Sequence, residues 1–166
     1  MEVNLQRVSE FDKPVLARLL ELYLYDMSLY EGAGPGPHGL FGYRWLDSYW
    51  TEANRHPFFI TADGELAGFA LVNDFCRFTE PGAAMAVAEF FIMNRFRRKG
   101  VGSQAALKLF RMFPGRWEVC QHRENRPSIE FWENLISDIS RGQYRKLEAE
   151  SEEWTGQALI FSIDSP

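Results

Sequence analysis

The feature that most constrains the fold is a change of hydrophobic periodicity near residue 100. Ala84–Met93 is a long apolar run interrupted by one charge, Glu89, and it predicts a buried strand. Gly100–Phe113 repeats apolar residues at helical spacing, and Pro114-Gly115 predicts the end of that helix. A basic turn joins the two, with four cations: Arg95, Arg97, Arg98 and Lys99. The chain is therefore predicted to place the first turn of a helix directly after a strand and a positively charged turn.

The two glycines that open this helix indicate an anion-binding turn. Gly100 and Gly102 let the backbone turn tightly and approach a ligand without a Cβ in the way. The N–H groups of the first helical turn point at the same place, and the helix dipole makes it positive. Together with the cations these features describe a diphosphate cradle; the alternative is a basic turn that only caps the helix. Neither the P-loop string nor a complete G-x-G-x-x-G occurs, since Ala105 stands at the third glycine position.

The rest of the pattern predicts a mixed α/β or α+β domain in the order β-α-α-β-β-β-α-β-α-β-β. Glycine and proline punctuate residues 31–39, which are predicted to form a loop over a site. Before the basic turn, the further predicted elements are strand Val3–Val8, a helix to about Leu29, a helix around Tyr43–Ala53, and strands Phe58–Thr61 and Leu66–Val72 joined at Ala62–Glu65. After helix Gly100–Phe113, strand Trp117–His122 and helix Ser128–Ile139 are predicted. The predicted closing strands are Tyr144–Leu147 and Trp154–Ile163, around an acidic turn holding Glu148, Glu150, Glu152 and Glu153. We expect one domain spanning residues 1–166.

Composition excludes several function classes. Aromatic residues make up 15% of the chain, so a disordered chain is excluded. The formal net charge of −5 argues against general nucleic-acid binding and favours a cationic substrate. The sequence shows neither a signal peptide nor an apolar run long enough to cross a membrane, and a cytoplasmic protein is expected. Cys76 and Cys120 lie in apolar, strand-like runs and form no C-x-x-C pair, so we expect buried free thiols, with neither a disulfide nor a metal site.

The basic turn and its flanks resemble the GNAT superfamily of acetyl-CoA-dependent N-acetyltransferases. Arg97-Arg98-Lys99-Gly100-Val101-Gly102 satisfies the family motif Q/R-x-x-G-x-G/A. Asn125 and the run Ser128–Trp132 follow the family's N-x-x-A/S-x-x-F-Y pattern except at the last position. Glu89–Ile92 and Phe113–Val119 further resemble a bacterial subgroup of predicted acetyltransferases. The resemblance implies a single GNAT-like domain with a mixed, mostly antiparallel central sheet flanked by helices.

The resemblance also implies roles for individual residues toward acetyl-CoA as the acyl donor. Backbone groups of Phe90, Phe91 and Ile92 correspond to those that bond the pantetheine amide and the thioester carbonyl. The residues implied in binding the pyrophosphate are Arg97, Arg98, Lys99, Gly100, Val101, Gly102 and Ser103. Asn125 corresponds to an asparagine that contacts the pantetheine arm; the alternative is a residue of the turn that precedes a helix.

Glu89 is the predicted general base. A carboxylate in an apolar strand has to be paired, hydrated or functional, because burying it alone is costly. Desolvation raises the pKa of a carboxyl group, which suits a base that acts near neutrality. The alternative is a carboxylate that pairs with an arginine or faces solvent. Trp132 occupies a position where the family often has a tyrosine that protonates the leaving thiolate, and an indole N–H cannot do so.

The acceptor is predicted to be a small molecule that carries a primary amine. Asp26 and Tyr30 lie on the first helix near the glycine-rich loop, and they are the predicted substrate residues, together with the aromatics Tyr23, Trp45, Tyr49 and Trp50. The alternative is that these aromatics belong to the core. Two other functions are compatible with the sequence: a non-catalytic acyl-CoA-binding regulatory module, and an acetyltransferase acting on a protein amine. No membrane or nucleic-acid partner is expected, and a homodimer is left open.

Overall fold

The computed structural model describes residues 1–165. Within them the chain forms seven strands: β1 (Val3–Arg7), β2 (His56–Ala62), β3 (Glu65–Asn73), β4 (Met85–Ile92), β5 (Gly115–His122), β6 (Arg145–Glu150) and β7 (Thr155–Ile163). The helices are α1 (Lys13–Glu31), α2 (Ser48–Thr51), α3 (Val101–Met112) and α4 (Arg126–Ser140), with short 3-10 turns at Glu10–Asp12 and Asn94–Phe96. This order is the one predicted from the sequence. No helix among the described residues is both long enough and apolar enough to cross a bilayer.

The strands form one mixed sheet in the order β1-β2-β3-β4-β5-β7-β6. β1 pairs antiparallel with β2, and β7 pairs antiparallel with both β5 and β6. β4 and β5 are parallel, in a register that includes Met85 opposite Trp117. The predicted fold class, a mixed and mostly antiparallel sheet with helices, is confirmed.

The first of two compact units consists of residues 1–71 and 89–102. Its long helix α1 has a proline in its first turn and buries Leu16, Leu19 and Leu20, one apolar stripe at helical spacing. Gly32 ends α1 in the left-handed conformation, with a φ of 68°. The β2–β3 hairpin turns at Asp63-Gly64, where both φ angles are positive, as a type I′ turn requires.

The second unit consists of residues 72–88 and 103–166, described to residue 165. Its core contains Phe110 of α3, whose ring centroid lies 4.9 Å from that of Trp117 and 5.0 Å from that of Phe161. The indole N–H of Trp117 donates to the carbonyl of Phe113, so this buried polar group is satisfied. α4 buries Trp132, and its C-terminus is capped by left-handed Arg141.

A buried carboxylate fixes the loop after β3 in this second unit. Glu118 of β5 is 1% exposed and accepts hydrogen bonds from the backbone N–H groups of Arg77, Phe78 and Thr79. The hydroxyl of Thr79 also donates to it, at 2.9 Å. These donors offset the cost of removing the charge from water.

Three expectations about secondary structure were wrong. The helix predicted around Tyr43–Ala53 is a single turn at Ser48–Thr51, because the residues before it form turns instead. Glu148 and Glu150 belong to strand β6 and not to the acidic turn. Cys76 lies in the loop after β3, whereas Cys120 lies in a strand as expected. Both cysteines are free, and they are half-buried, whereas the sequence predicts that they are buried.

Candidate functional site

The carboxylate of Glu89, in the second half of β4, is held by two tyrosine hydroxyls. Tyr23 of α1 donates a short hydrogen bond to Oε2 of Glu89. Tyr43, which follows the glycine-rich loop, donates to Oε1 at 3.3 Å. Glu89 is half-buried, so neither full hydration nor full burial applies to it. Three segments distant in the sequence thus meet at one carboxylate.

The hydroxyls of Tyr23 and Tyr43 stay protonated at any physiological pH, so both remain hydrogen-bond donors. Burial raises the pKa of Tyr23 well above its ordinary value of 10.0, and the adjacent negative charge of Glu89 raises it further. The pKa of Tyr43 is raised by the same two causes, in the same order. The two neutral hydroxyls therefore both donate to the carboxylate of Glu89. Ionised Glu89 can accept a proton.

Two phenylalanine rings fix the position of Tyr23. Its ring lies edge-on to Phe69 of β3 at 5.6 Å and to Phe91 of β4 at 6.0 Å between centroids. Phe69 and Phe91 are themselves 5.6 Å apart. Edge-to-face contacts of this kind restrict a ring to one orientation. The hydroxyl of Tyr23 is therefore aimed at Glu89 by packing.

A glycine in β3 lets the backbone of β4 come unusually close. A Cβ added to Gly68 would lie 1.9 Å from the carbonyl oxygen of Phe91, far inside any real contact. Just beyond β4, the N–H of Met93 donates to the carbonyl of Ala67 at 2.9 Å. A glycine inside a strand pattern is a sequence signal for such a close approach. The approach occurs at Phe91, in the middle of the segment predicted to bind the cofactor by its backbone.

The residues predicted to form the anion-binding turn make a tight turn into α3. Arg97 is extended, with φ −69° and ψ 153°, and Arg98 follows in the left-handed region, with a φ of 57°. Gly100 is also left-handed, with a φ of 79°, and α3 begins at Val101. The N–H groups of the first turn of a helix have no acceptor within the helix. A non-glycine residue in the left-handed region is uncommon, and such strain is concentrated at functional sites.

Arg97 and Asp26 form an ion pair between α1 and the residues that follow β4. Nη2 of Arg97 lies 2.6 Å from Oδ2 of Asp26, and Nε donates to the carbonyl of Ile92 at 2.6 Å. The guanidinium lies 5.6 Å from the ring centroid of Phe91. The backbone N–H of Arg97 donates to the carbonyl of Asn94. One residue predicted for the cofactor and one predicted for the substrate are thus brought together.

Glu21 is a further residue of this region that the sequence analysis missed. Its two carboxylate oxygens accept from the backbone N–H groups of Phe41 and Gly42 at 2.8 and 2.9 Å. Glu21 therefore ties the end of the glycine-rich loop to α1, just before Tyr43. Its position on α1, two residues before Tyr23, could have indicated that Glu21 lies near the site. Nothing in the sequence predicts that it binds a loop 20 residues away.

The other predicted substrate residues have different surroundings. Tyr30 is half-buried on α1. Tyr49 is 2% exposed and belongs to the core, and the indole N–H of Trp50 donates to the carbonyl of Val8 at 3.0 Å. Trp45 is exposed and stacks with two arginines. Tyr43, an aromatic of the same segment, reaches Glu89.

Three predicted positions lie in the second unit. Asn125 is the N-cap of α4, and its Oδ1 accepts from the N–H of Ser128 at 3.2 Å, a role that its alternative interpretation anticipated. Trp132 is 4% exposed, and its ring centroid lies 6.2 Å from that of Phe110. Ser103 is half-buried in the first turn of α3.

The fold is similar to several solved acetyltransferase structures. An acetyltransferase from Thermus thermophilus gives a TM-score of 0.71 at 16% identity over 98% of both chains. The aminoglycoside acetyltransferase AAC(6')-Ib in complex with coenzyme A gives a TM-score of 0.67 at 15% identity, over 97% of this chain and 95% of that chain. A ribosomal-protein-alanine N-acetyltransferase from Escherichia coli gives 0.59 at 12% identity, over 99% and 96%. At these identities the likeness establishes the fold alone.

Sequence comparison adds the family. No curated protein matches this sequence. Residues 19–135, which include Glu21, Glu89 and the whole basic turn, match the acetyltransferase (GNAT) family. The matched segment is more than half of the chain, and the protein therefore belongs to the GNAT acetyltransferase family.

Proposed function

We propose that this protein is an acetyl-CoA-dependent N-acetyltransferase, a single domain that acetylates the primary amine of a small cationic molecule. The observation that carries the proposal is that the hydroxyls of Tyr23 and Tyr43 hold the carboxylate of Glu89, on the strand that leads into the basic turn. A positioned proton acceptor beside an anion-binding turn is what amine acetylation needs. Membership of the family supports the same chemistry.

The residues of the basic turn fit the diphosphate of coenzyme A. Left-handed Arg98 and Gly100 turn the backbone into α3, whose first N–H groups and dipole favour a negative group. Gly102, in the first turn, leaves room for a close approach. Backbone groups of Phe90–Ile92 would bind the pantetheine arm. When bound, acetyl-CoA supplies an acetyl group activated as a thioester.

Glu89 would act as the general base. An amine is bound mostly as an ammonium ion and becomes a nucleophile only after it loses a proton. Ionised Glu89 accepts that proton, directly or through one water, while Tyr23 and Tyr43 keep its oxygens in place. Trp132 is buried and has no acidic proton to give, so solvent protonates the departing thiolate. Because a thiol has a pKa of about 8.5, the thiolate is a good leaving group and its departure without a protein acid adds little to the activation free energy.

The charges around Glu89 favour a cationic acceptor. The carboxylates of Glu89 and Glu21, both in the first unit, accept hydrogen bonds from uncharged hydroxyl and backbone N–H groups, and the net charge of the chain is −5. The faces of tyrosine rings attract cations as well. The similarity to an aminoglycoside acetyltransferase agrees with a small polyamine-like acceptor. The similarity to an acetyltransferase of a ribosomal protein keeps a protein amine as the alternative acceptor.

A non-catalytic acyl-CoA-binding module is the second candidate function. The observation that favours it is Trp132, a core residue packed near Phe110 where relatives often carry a tyrosine acid. Such a module would bind coenzyme A and release no thiol from acetyl-CoA in the presence of any amine.

The test is a thiol-release assay with acetyl-CoA and a panel of small amines, polyamines and peptides. Release above the rate of amine-free hydrolysis, with a mass increase of one acetyl group on the amine, supports the proposal. Tight binding of coenzyme A without release from any amine supports the non-catalytic module. Release with peptides alone moves the acceptor to a protein.

A further inference from the structure

Four arginines flank two turns in the second unit of the fold. Arg111 and Arg116 stand on either side of the turn from α3 to β5, and Arg141 and Arg145 on either side of the turn from α4 to β6. β5 and β6 both pair antiparallel with β7, so the two strands run in the same direction. Both turns therefore lie at one end of this part of the sheet.

The strand register puts two of these arginines on the same face. Arg116 lies opposite Ser162 of β7, and Arg145 lies opposite Ile160. Side chains alternate between faces along a strand, so residues 160 and 162 share a face, and their partners share it too. Two strand spacings and an offset of two residues separate the Cα atoms of Arg116 and Arg145 by about 12 Å. A ligand with two anionic groups can bridge such a spacing.

All four arginines line one groove of about 1250 Å³, together with Tyr144. None of the four forms an ion pair with any residue that the structure describes, although Glu80 and Asp164 line the same groove. All four are exposed at the surface.

Helix stability accounts for only part of this cluster. Arg111 is in the last turn of α3 and Arg141 caps α4, where a positive charge offsets the negative end of the helix dipole. Arg116 and Arg145 lie on strands and have no helix end to offset. Arg141 moreover adopts a left-handed φ of 53°, a conformation that glycine or asparagine adopts at lower cost.

We propose that this groove binds a small polyanion carrying at least two phosphate or carboxylate groups. A guanidinium is planar and always charged, and it binds such groups through two parallel hydrogen bonds. Every lining residue belongs to the second unit, whereas Glu89 and its tyrosines belong to the first. The proposal is therefore independent of the acetyl-transfer function.

The test measures binding of inorganic pyrophosphate and of citrate to the full chain by isothermal titration calorimetry at low salt. The titrations are run without coenzyme A, which itself carries several phosphate groups, and they are repeated with Gly102→Asp, in which a second anion site at the basic turn is weakened but the groove is unchanged. We expect one site for at least one probe, weakened at least tenfold in the double variant R116Q/R145Q. The matched control R18Q/R44Q removes the same charge from exposed arginines outside the groove and should bind within about twofold of wild type. Pyrophosphate alone binding identifies phosphate groups; citrate alone identifies carboxylates.

Three results would overturn the proposal. The first is the absence of binding of either probe to the wild-type protein at millimolar concentration. The second is equal weakening in the R18Q/R44Q control, which would mean a general charge effect. The third is unchanged affinity in R116Q/R145Q, with circular dichroism verifying that the variant is folded. The single variant R145Q, on the short strand β6, repeats the test should the double variant fail to fold.

Discussion

At the scale of single residues, the proposed role of Glu89 depends on the two tyrosine hydroxyls that hold its carboxylate. One carboxylate in an apolar strand is visible as an exception to the pattern. Its two donors, Tyr23 and Tyr43, precede it in the sequence by 66 and 46 positions, and no local pattern predicts such distant pairs. The sequence places Tyr23 among the aromatics predicted for the substrate site, and it places Tyr43 in a predicted helix. The hydroxyl of each tyrosine, and not its ring, decides its role at Glu89.

Asp26 is the residue whose substitution best separates substrate binding from cofactor binding. Asp26→Asn removes the charge that neutralises Arg97, and an uncompensated guanidinium repels an ammonium substrate. We expect KM for the amine to rise about three- to fivefold, the upper part of the range for a partly exposed ion pair. KM for acetyl-CoA should not rise, because a guanidinium freed from Asp26 attracts the negative diphosphate. Steady-state kinetics with each substrate varied gives both constants.

The control is Asp47→Asn, which removes a carboxylate paired with Lys13 on the same unit. It should leave both constants within about twofold of wild type. In the wild-type enzyme, kcat/KM for the amine should also fall as salt is added, since salt screens attraction between exposed charges. A rise in KM for acetyl-CoA alone would instead make Asp26 a positioning residue for the basic turn.

At the scale of elements, periodicity predicted the strands and helices that bury one face. α1 and α4 were predicted correctly because each repeats apolar residues over several turns and begins with a proline in its first turn. The segment from Tyr43 to Thr51 does not form the predicted long helix, although its aromatics have helical spacing, and the side chains of these aromatics have different surroundings. Tyr43 reaches Glu89, Trp45 is exposed and Tyr49 is buried. Only tertiary contacts distinguish these destinations.

The approach of β4 to β3 depends on Gly68. Gly68→Ala places a methyl group 1.9 Å from the carbonyl oxygen of Phe91, so one of the strands has to move. We expect the free energy of unfolding to fall by about 1–3 kcal/mol, as in other overpacked interiors. Urea denaturation measures it. Gly34→Ala is the control, because its Cβ meets nothing within 4 Å and should leave stability equal or slightly higher. Unchanged stability of Gly68→Ala would mean that the strands are farther apart than described.

The first turn of α3 is the element proposed to hold the diphosphate. Gly102→Asp adds a side chain and a negative charge there, and like charges at close range cost several kcal/mol. Affinity for coenzyme A, measured by calorimetry, should fall by at least about 100-fold while the circular dichroism spectrum stays the same. Gly34→Asp, with the same charge change in an open loop position, should bind as wild type. Binding of Gly102→Asp within a few-fold of wild type would locate the diphosphate elsewhere.

At the scale of the whole molecule, the order of elements was predictable and the buried polar anchors were not. The order follows from local pattern and turn chemistry at positions such as Asp63-Gly64. Glu118 reads as an ordinary charged residue in a strand, yet it is buried and holds the loop at Arg77–Thr79. The sequence does not show which loop returns to which strand, and that information decides where a buried charge finds its donors.

The raised pKa values of two half-buried cysteine thiols predict that this protein loses stability in alkaline solution. Burial, and next the charge of Glu118, raise the pKa of both Cys76 and Cys120 to about 12 from an ordinary 9.0. Above pH 9 the unfolded chain releases these protons and the folded chain keeps them, so stability is highest below that pH and falls as pH rises toward 12. Tyr23 and Tyr43, with raised pKa values, add to the loss above pH 10.

The measurement is the urea midpoint at about pH 8 and about pH 10.5, on either side of the ordinary thiol pKa. The midpoint should fall for the wild type, and fall less for C76S/C120S, because serine does not ionise in this range. A midpoint that is the same at both pH values would contradict the raised thiol pKa values.

The most direct test of the central claim compares the rate of amine acetylation by wild type and by Glu89→Gln. Glutamine keeps the size of the side chain and two polar atoms for Tyr23 and Tyr43, but it cannot accept the proton. With the best amine of the panel, kcat should fall by about 10²–10⁴, the range of general-base loss, with affinity for coenzyme A unchanged. The control Glu65→Gln, at an exposed glutamate paired with Arg95, should keep full turnover. Full turnover by Glu89→Gln would contradict the account and remove Glu89 from the chemistry.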